Sequence, residues 1–197
     1  MNKKVILGLA TALGMAISTP VLADPITTQP PPLIATGDVV AYYVFADAAN
    51  TSQLSEPSAG IAPFFCNHAP LCATENTAGD SVDLGVQSGP MEFQLDNLTF
   101  GKTYFSDLAD SDGNFHVLIT SNYDDFGVGP EPAGIPAGVI FVGWEDKNLA
   151  EGSDFDYNDL IFAFTNTNSS VPEPLTLSLF GAGLLGVASL RRRRKTA

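Results

Sequence analysis

Apolar and polar positions along this 197-residue chain fall into three regimes. Lys3 and Lys4 lead into a mostly apolar run from Val5 to Ile17, and a second mostly apolar run fills 175–190 ahead of the cations Arg191 to Lys195. Between them no apolar period of 3.6 residues is sustained. Short β-rich runs recur instead between clusters of Gly, Pro, Asn and Asp, the pattern of strands joined by turns. DVVAYYVFA (38–46) is apolar on both faces and predicts a central strand. SVDLGV (81–86) and MEFQLDNL (91–98) alternate, the second turning Met91, Phe93 and Leu95 to one side. TYFSDL, FHVLITSNY, GVIFVGW and DLIFAF follow at the intervals of an antiparallel sandwich. The predicted fold is therefore all-β, an antiparallel β-sandwich (jelly-roll-like) over 38–165, with about eight strands and almost no helix. Prolines and glycines make FGVGPEPAGIPAG (126–138) a loop. Proline-rich 24–37 predicts an extended lead-in, and NTNSS (166–170) a flexible linker.

The two ends carry the charge pattern of membrane-targeting segments. Residues 1–23 combine two lysines, the apolar run and small residues at Val21 and Ala23, so they predict a secretory signal peptide. A buried N-terminal helix is the other reading, but no polar face accompanies the run. At the far end Val171, Pro172, Glu173 and Pro174 precede sixteen mostly apolar residues and then Arg191, Arg192, Arg193, Arg194 and Lys195. Sixteen helical residues rise about 24 Å against a hydrocarbon core of about 30 Å, which makes the span marginal. Both cationic clusters should stay cytoplasmic, which places the intervening chain outside the inner membrane. The order of VPEP, glycine-bearing apolar helix and arginine cluster over 171–197 resembles the PEP-CTERM sorting signal. That resemblance implies processing by an exosortase, a membrane-embedded thiol enzyme of Gram-negative bacteria that make exopolysaccharide. It also implies a precursor held transiently in the inner membrane by its C-terminal helix, and a final place at the cell surface or in the biofilm matrix. A plain tail anchor is the alternative, and it would leave Arg191 to Lys195 on the mature protein.

Charge sharpens this picture. Twenty-one of the 22 acidic residues lie between Asp24 and Pro172 against two cations, Lys102 and Lys147, a formal charge of −19. Cations supply most of the affinity for a phosphate backbone, so nucleic acid is excluded as a partner. Such an excess repels itself unless counter-ions bind, and divalent cations become an expectation. Cys66 and Cys72 are the two cysteines, and export to an oxidising compartment predicts a disulfide between them. Metal ligation by Cys66, His68 and Cys72 is the alternative, and it lacks a fourth ligand at recognisable spacing.

Acids concentrate in DSDGNFH (110–116), YDD (123–125) and WEDKNLAEGSDFDYND (144–159). If DFDYND enters a strand, its period of two sets Asp154, Asp156 and Asn158 on one face and Phe155 and Tyr157 on the other. Ca²⁺ takes six to eight hard oxygen ligands at about 2.3–2.6 Å. Glu145, Asp146, Asp154, Asp156, Asn158 and Asp159 are thus a candidate calcium site, with solvated turns as the other reading. An EF-hand is excluded, because Asp159 stands where its turn glycine belongs. Asp110, Asp112 and Asn114 form a second candidate metal site, although Asp112 and Gly113 also read as a turn. His116 reads as a hydrogen-bonded structural histidine. GWED followed by SDFDYNDLIFAF resembles the family called domain of unknown function 4114, with weaker counterparts in YYVFADAANTSQL, SVDLG, MEFQLDN and DGNFHVL. Trp144, where phenylalanine is commoner, and the cysteine pair depart from it. The resemblance implies a β-rich extracellular module that binds calcium, with no established enzymatic activity.

No reaction signature stands out. A glycosidase needs two carboxyl groups across a cleft, and nothing singles out an acid and a base among so many. No GxSxG occurs, and only His68 and His116 could act as bases. A non-enzyme is expected, with a glycoside hydrolase as a remote alternative. Tyr42, Tyr43, Tyr104, Tyr123 and Trp144 could stack on sugars, which keeps a carbohydrate-binding module open, yet rings in a sandwich are more often core. Asn50, Asn97 and Asn168 begin glycosylation triplets, a pattern of little weight in a bacterium. The leading expectation is an exported structural or adhesive module, calcium-stabilised, with an exosortase as processing partner and exopolysaccharide or other matrix components as ligands.

Overall fold

The computed structural model describes residues 24–169; the predicted signal peptide and sorting signal lie outside the described residues. Ten strands follow one another: β1 (Leu33–Ala46), β2 (Ser52–Glu56), β3 (Ile61–Cys66), β4 (Ser81–Met91), β5 (Gln94–Asn97), β6 (Lys102–Phe105), β7 (Val117–Thr120), β8 (Ile140–Trp144), β9 (Leu160–Phe164) and β10 (Thr167–Ser169). Two 3₁₀ turns, Tyr123–Phe126 and Leu149–Glu151, are the helical elements among the described residues.

The strands form two antiparallel sheets packed face to face, as the alternation of short runs and turns predicted. In the larger, β1 is central. It pairs with β4 on one edge, and on the other with β9 along Ala41–Ala46 and β10 along Leu33–Ala35; β8 and β7 continue beyond β9. The smaller sheet runs β3-β2-β5-β6. Val39, Ala41, Tyr43, Val142, Trp144, Leu160, Phe162 and Phe164 from the large sheet meet Leu54, Phe65, Leu95 and Tyr104 from the small one in the seam between them. Rings dominate this contact: Phe65 stacks on Phe162 with centroids 5.6 Å apart, and Tyr43 meets both edge-on.

The large sheet is covered on its other face too. Val44, Phe141, Ile161 and Ala163 pack there against Tyr123, Phe126, Phe155 and Tyr157, which come from connections rather than strands. A sheet buried on both faces needs continuous rather than alternating apolar strands. This is why IFVGW and LIFAF are buried at every position, and why DVVAYYVFA carries apolar residues on both sides. Gly143 is required by the same layering, because a Cβ there would run into the Phe126 ring and the Tyr157 carbonyl.

Several boundaries differ from the sequence reading. β1 begins at Leu33, inside the proline-rich lead-in, because the chain alternates buried and exposed side chains as soon as Pro32 is passed. Part of the predicted linker, Thr167–Ser169, is strand β10, drawn into the edge opposite Leu33–Ala35. MEFQLDNL is divided between the sheets, with Met91 ending β4 and Gln94 opening β5, although Met91, Phe93 and Leu95 all reach the core as expected. β2 and β3 had no counterpart in the predicted strands.

Candidate metal centre

The β8–β9 connection, 145–159, holds most of the predicted site residues. Glu145 prolongs β8 by one ladder step, its N–H donating to the His116 carbonyl at 2.9 Å. Successive side chains on an extended strand point to opposite faces. Val142 and Trp144 face the seam between the sheets, so Glu145 faces the outer layer and Asp146 returns to the seam. Asp159 lies one step beyond the Trp144–Leu160 pair, beside Glu145. The connection between them is shaped by a 3₁₀ turn whose Asn148 and Glu151 form a reciprocal capping box, with Gly152 in the left-handed region closing it.

DFDYND does not adopt the strand geometry on which its alternation was predicted. Phe155 and Tyr157 are both left-handed, at φ 54° and 56°. The alternation nevertheless survives: both rings are buried in the outer layer while Asp154 is exposed and Asp156 and Asn158 are half-buried. The Tyr157 hydroxyl accepts from the Ile26 N–H at 2.8 Å and lies 3.4 Å from the Phe115 carbonyl. Left-handed non-glycine residues cost about 1–3 kcal/mol each and persist where the surroundings fix them, as these anchored rings do.

This fold brings carboxylate oxygens of Glu145, Asp154 and Asp156 within 4.8 Å of one another. Glu145 is 1% exposed, and its Oε2 has no hydrogen-bond partner. Of the remaining predicted ligands, Asn158 and Asp159 adjoin this group and Asp146 turns from it. Asn158 donates its amide to Asp156 Oδ2 at 2.6 Å, orienting that carboxylate. Asp159 is buried next to Glu145 and accepts the Asp146 N–H at 2.9 Å. Asp146, fully buried, points away from the cluster and accepts from Asn50 Nδ2 at 2.9 Å and Ser52 Oγ at 3.2 Å.

Burial, then the charges of Asp159 and Asp154, push the Glu145 carboxyl far above the usual range. Asp159 is raised by burial and by Asp146, and Asp156 by burial and by Asp154 and Asp47. Among the described residues the ion pairs are Lys102–Glu151, His68–Glu75 and His116–Asp112, and none reaches this cluster. An all-oxygen donor set with a buried, unpartnered carboxylate oxygen can hold a hard metal ion. Sequence reasoning missed Asp47. It follows β1, its N–H donates to the Asp159 carbonyl at 3.1 Å, and only the three-dimensional return of β9 reveals that proximity.

The second candidate assembles differently. Asp110 and Asp112 are joined by His116, their side-chain ligand atoms within the same 4.8 Å of one another. Asn114 closes the turn, its N–H donating to Asp112 Oδ1 at 2.9 Å. Asp112 also accepts the Leu149 N–H at 3.0 Å and sits 3.3 Å from His116 Nε2. Burial would raise this carboxyl, but the N–H groups of Leu149 and Asn114 hold it low. It is therefore a satisfied anion that ties the 110–114 turn to the β8–β9 connection. Cys66 and Cys72 are joined, with Cα atoms 6.4 Å apart, stapling the loop after β3. Of the five rings considered for sugar stacking, Tyr43, Tyr104, Tyr123 and Trp144 are buried.

A family model for the PEP-CTERM protein-sorting motif matches residues 170–194. The chain carries a PEP-CTERM sorting motif. This motif implies an exported, membrane-anchored precursor that an exosortase sorts. The match lies outside the sandwich, whose resemblance to domain of unknown function 4114 gains no support from it. No curated protein and no solved structure matches the chain. Among the described residues no helix is long and apolar enough to cross a membrane.

Proposed function

We propose that the sandwich is a structural or adhesive module of the cell surface or extracellular matrix, delivered by its PEP-CTERM motif and stabilised by calcium at Glu145, Asp154 and Asp156. One observation carries the ion: Glu145 Oε2 is buried without a partner beside two further carboxylates, and among the described residues no cationic side chain pairs with them. Isolated buried charge is expensive, and a divalent ion converts the repulsion into ligation. Oxygen-only donors of irregular arrangement suit Ca²⁺ better than Mg²⁺, which demands a near-ideal octahedron. The sandwich is assigned no reaction. Its cysteines are joined, and His116 is buried against Asp112, which favours a non-catalytic role. The burial of four of the five candidate rings likewise favours a structural role over sugar stacking. Titration of calcium chloride into the exported protein at fixed ionic strength should give saturable heat that Glu145→Gln removes. Absence of heat in the unaltered protein would remove the ion from this reading.

A further inference from the structure

Two of the asparagines that begin glycosylation triplets have a different role in the fold. Asn50 is 6% exposed and Asn97 fully buried, which shields both from modification. Both side chains instead end on one residue. Asn50 Nδ2 donates to Asp146 Oδ1 at 2.9 Å, and Asn97 Nδ2 donates to the Asp146 carbonyl at 2.7 Å. Ser52 Oγ adds a third bond to Asp146 Oδ2, at 3.2 Å. Asn97 belongs to β5 and Ser52 to β2, so the small sheet's contributions here converge on a residue two places past the end of the large sheet's β8. Asn67 completes the arrangement, accepting the Ser52 N–H and donating to the Asn50 carbonyl, each at 2.8 Å.

The other side of Asp146 faces the metal centre. Its N–H donates to Asp159 Oδ2 at 2.9 Å, and Asp159 in turn lies against Glu145, which precedes Asp146 in the chain. We infer that Asp146 is a positioning residue, coupling occupancy of the metal centre to the docking of the small sheet on the large one. The inference rests on the proposed ion at Glu145, Asp154 and Asp156. When an ion draws Glu145 outward to Asp154 and Asp156, the next residue is held in the seam with its carboxylate presented to Asn50 and Ser52. By reciprocity, a firmly held Asp146 preorganises Glu145 for the ion, and the coupling must have the same size in both directions. Outer groups that orient metal ligands commonly change affinity 10–100-fold when removed. The same connection makes a second tie to the small sheet through the Glu151–Lys102 pair at 2.8 Å, which an ion would steady in the same way.

The test uses the exported protein and calcium chloride. Hydrogen exchange followed by mass spectrometry, with calcium and with chelator, should show slower exchange in β2 and β5 as well as in 145–159. This arm needs no variant. In calorimetry, Asn50→Ala and Ser52→Ala, neither of which touches a proposed ligand, should weaken calcium binding about tenfold. A purely structural role would lower their melting temperatures and leave the dissociation constant unchanged. Should Asn50→Ala fail to fold, Ser52→Ala, which loses one hydroxyl, carries the comparison. Calcium binding with unchanged exchange in β2 and β5 and unchanged affinity in both variants overturns the coupling and leaves the ion in place. No calcium binding to the unaltered protein overturns both.

Discussion

Replacing Glu145 by Gln should make the calcium-free protein more stable at neutral pH while abolishing its response to calcium. Burial and the neighbouring carboxylates push the folded Glu145 carboxyl to about 9, whereas an unfolded glutamate titrates near 4.3 (about the peptide value). Between those limits the folded state holds a proton that the unfolded state has released, so stability is present at low pH and falls as pH rises. Each pH unit in that window costs about 1.4 kcal/mol for one such group. From about pH 5.5 to about pH 7.5 the loss is roughly 3 kcal/mol, or about 8 °C in melting temperature for a domain of this size. Saturating calcium replaces the proton and should flatten the slope. Glutamine cannot ionise, so in chelator the variant should keep only the shallower slope left by Asp159 and Asp156, whose carboxyls are also raised, and should be indifferent to calcium. Circular dichroism melts of both proteins, in chelator and in millimolar calcium, with sodium matched for ionic strength, read all four curves. A wild-type melting temperature that is flat or rises across this range in chelator would refute the reasoning.

Further outcomes follow from other parts of the fold. Gly143→Ala should lower stability by about 1–3 kcal/mol, because its methyl meets the Phe126 ring and the Tyr157 carbonyl; denaturant melts that match wild type would show that the outer layer yields. Cys66→Ser with Cys72→Ser should cost about 2 kcal/mol and leave calcium affinity unchanged, and alkylation of the unreduced wild type should label neither cysteine. Intact mass measurement of the exported protein should show Arg191 to Lys195 removed in cells with an active exosortase and retained when the enzyme's thiol is replaced, as the motif at 170–194 implies. Recovery of the arginines on exported protein from unaltered cells would argue for a plain anchor.

Strands were legible in the sequence where large apolar side chains either run on or alternate. IFVGW and LIFAF are buried at every position and DVVAYYVFA is apolar throughout after Asp38, while SVDLGV and MEFQLDNL show the alternation of strands with one covered face. β2 and β10 could not be read. SQLSE has one large apolar side chain and TNS has none, and both are strands because neighbouring edges pair with them. In the candidate site the residue types were legible and the conformations were not. Nothing in Phe155 or Tyr157 signals a left-handed backbone, since aromatic residues rarely adopt one. Asp146 looked like a ligand by adjacency to Glu145, but consecutive side chains at a strand end part to opposite faces, and Asp146 goes to the small sheet. Asp47 comes near the first cluster only through the tertiary return of β9, whereas His116 meets Asp112 locally, four residues on, and is passed over in the sequence because it reads as structural.

The central claim is that an ion sits among Glu145, Asp154 and Asp156, and a crystal of the exported protein grown with calcium and soaked in terbium tests it most directly. The account predicts an anomalous peak within about 2.3–2.6 Å of one carboxylate oxygen from each of these three residues, the usual reach of a hard cation. A peak elsewhere on the molecule, with Glu145 Oε2 protonated and these three carboxylates bare, would contradict it.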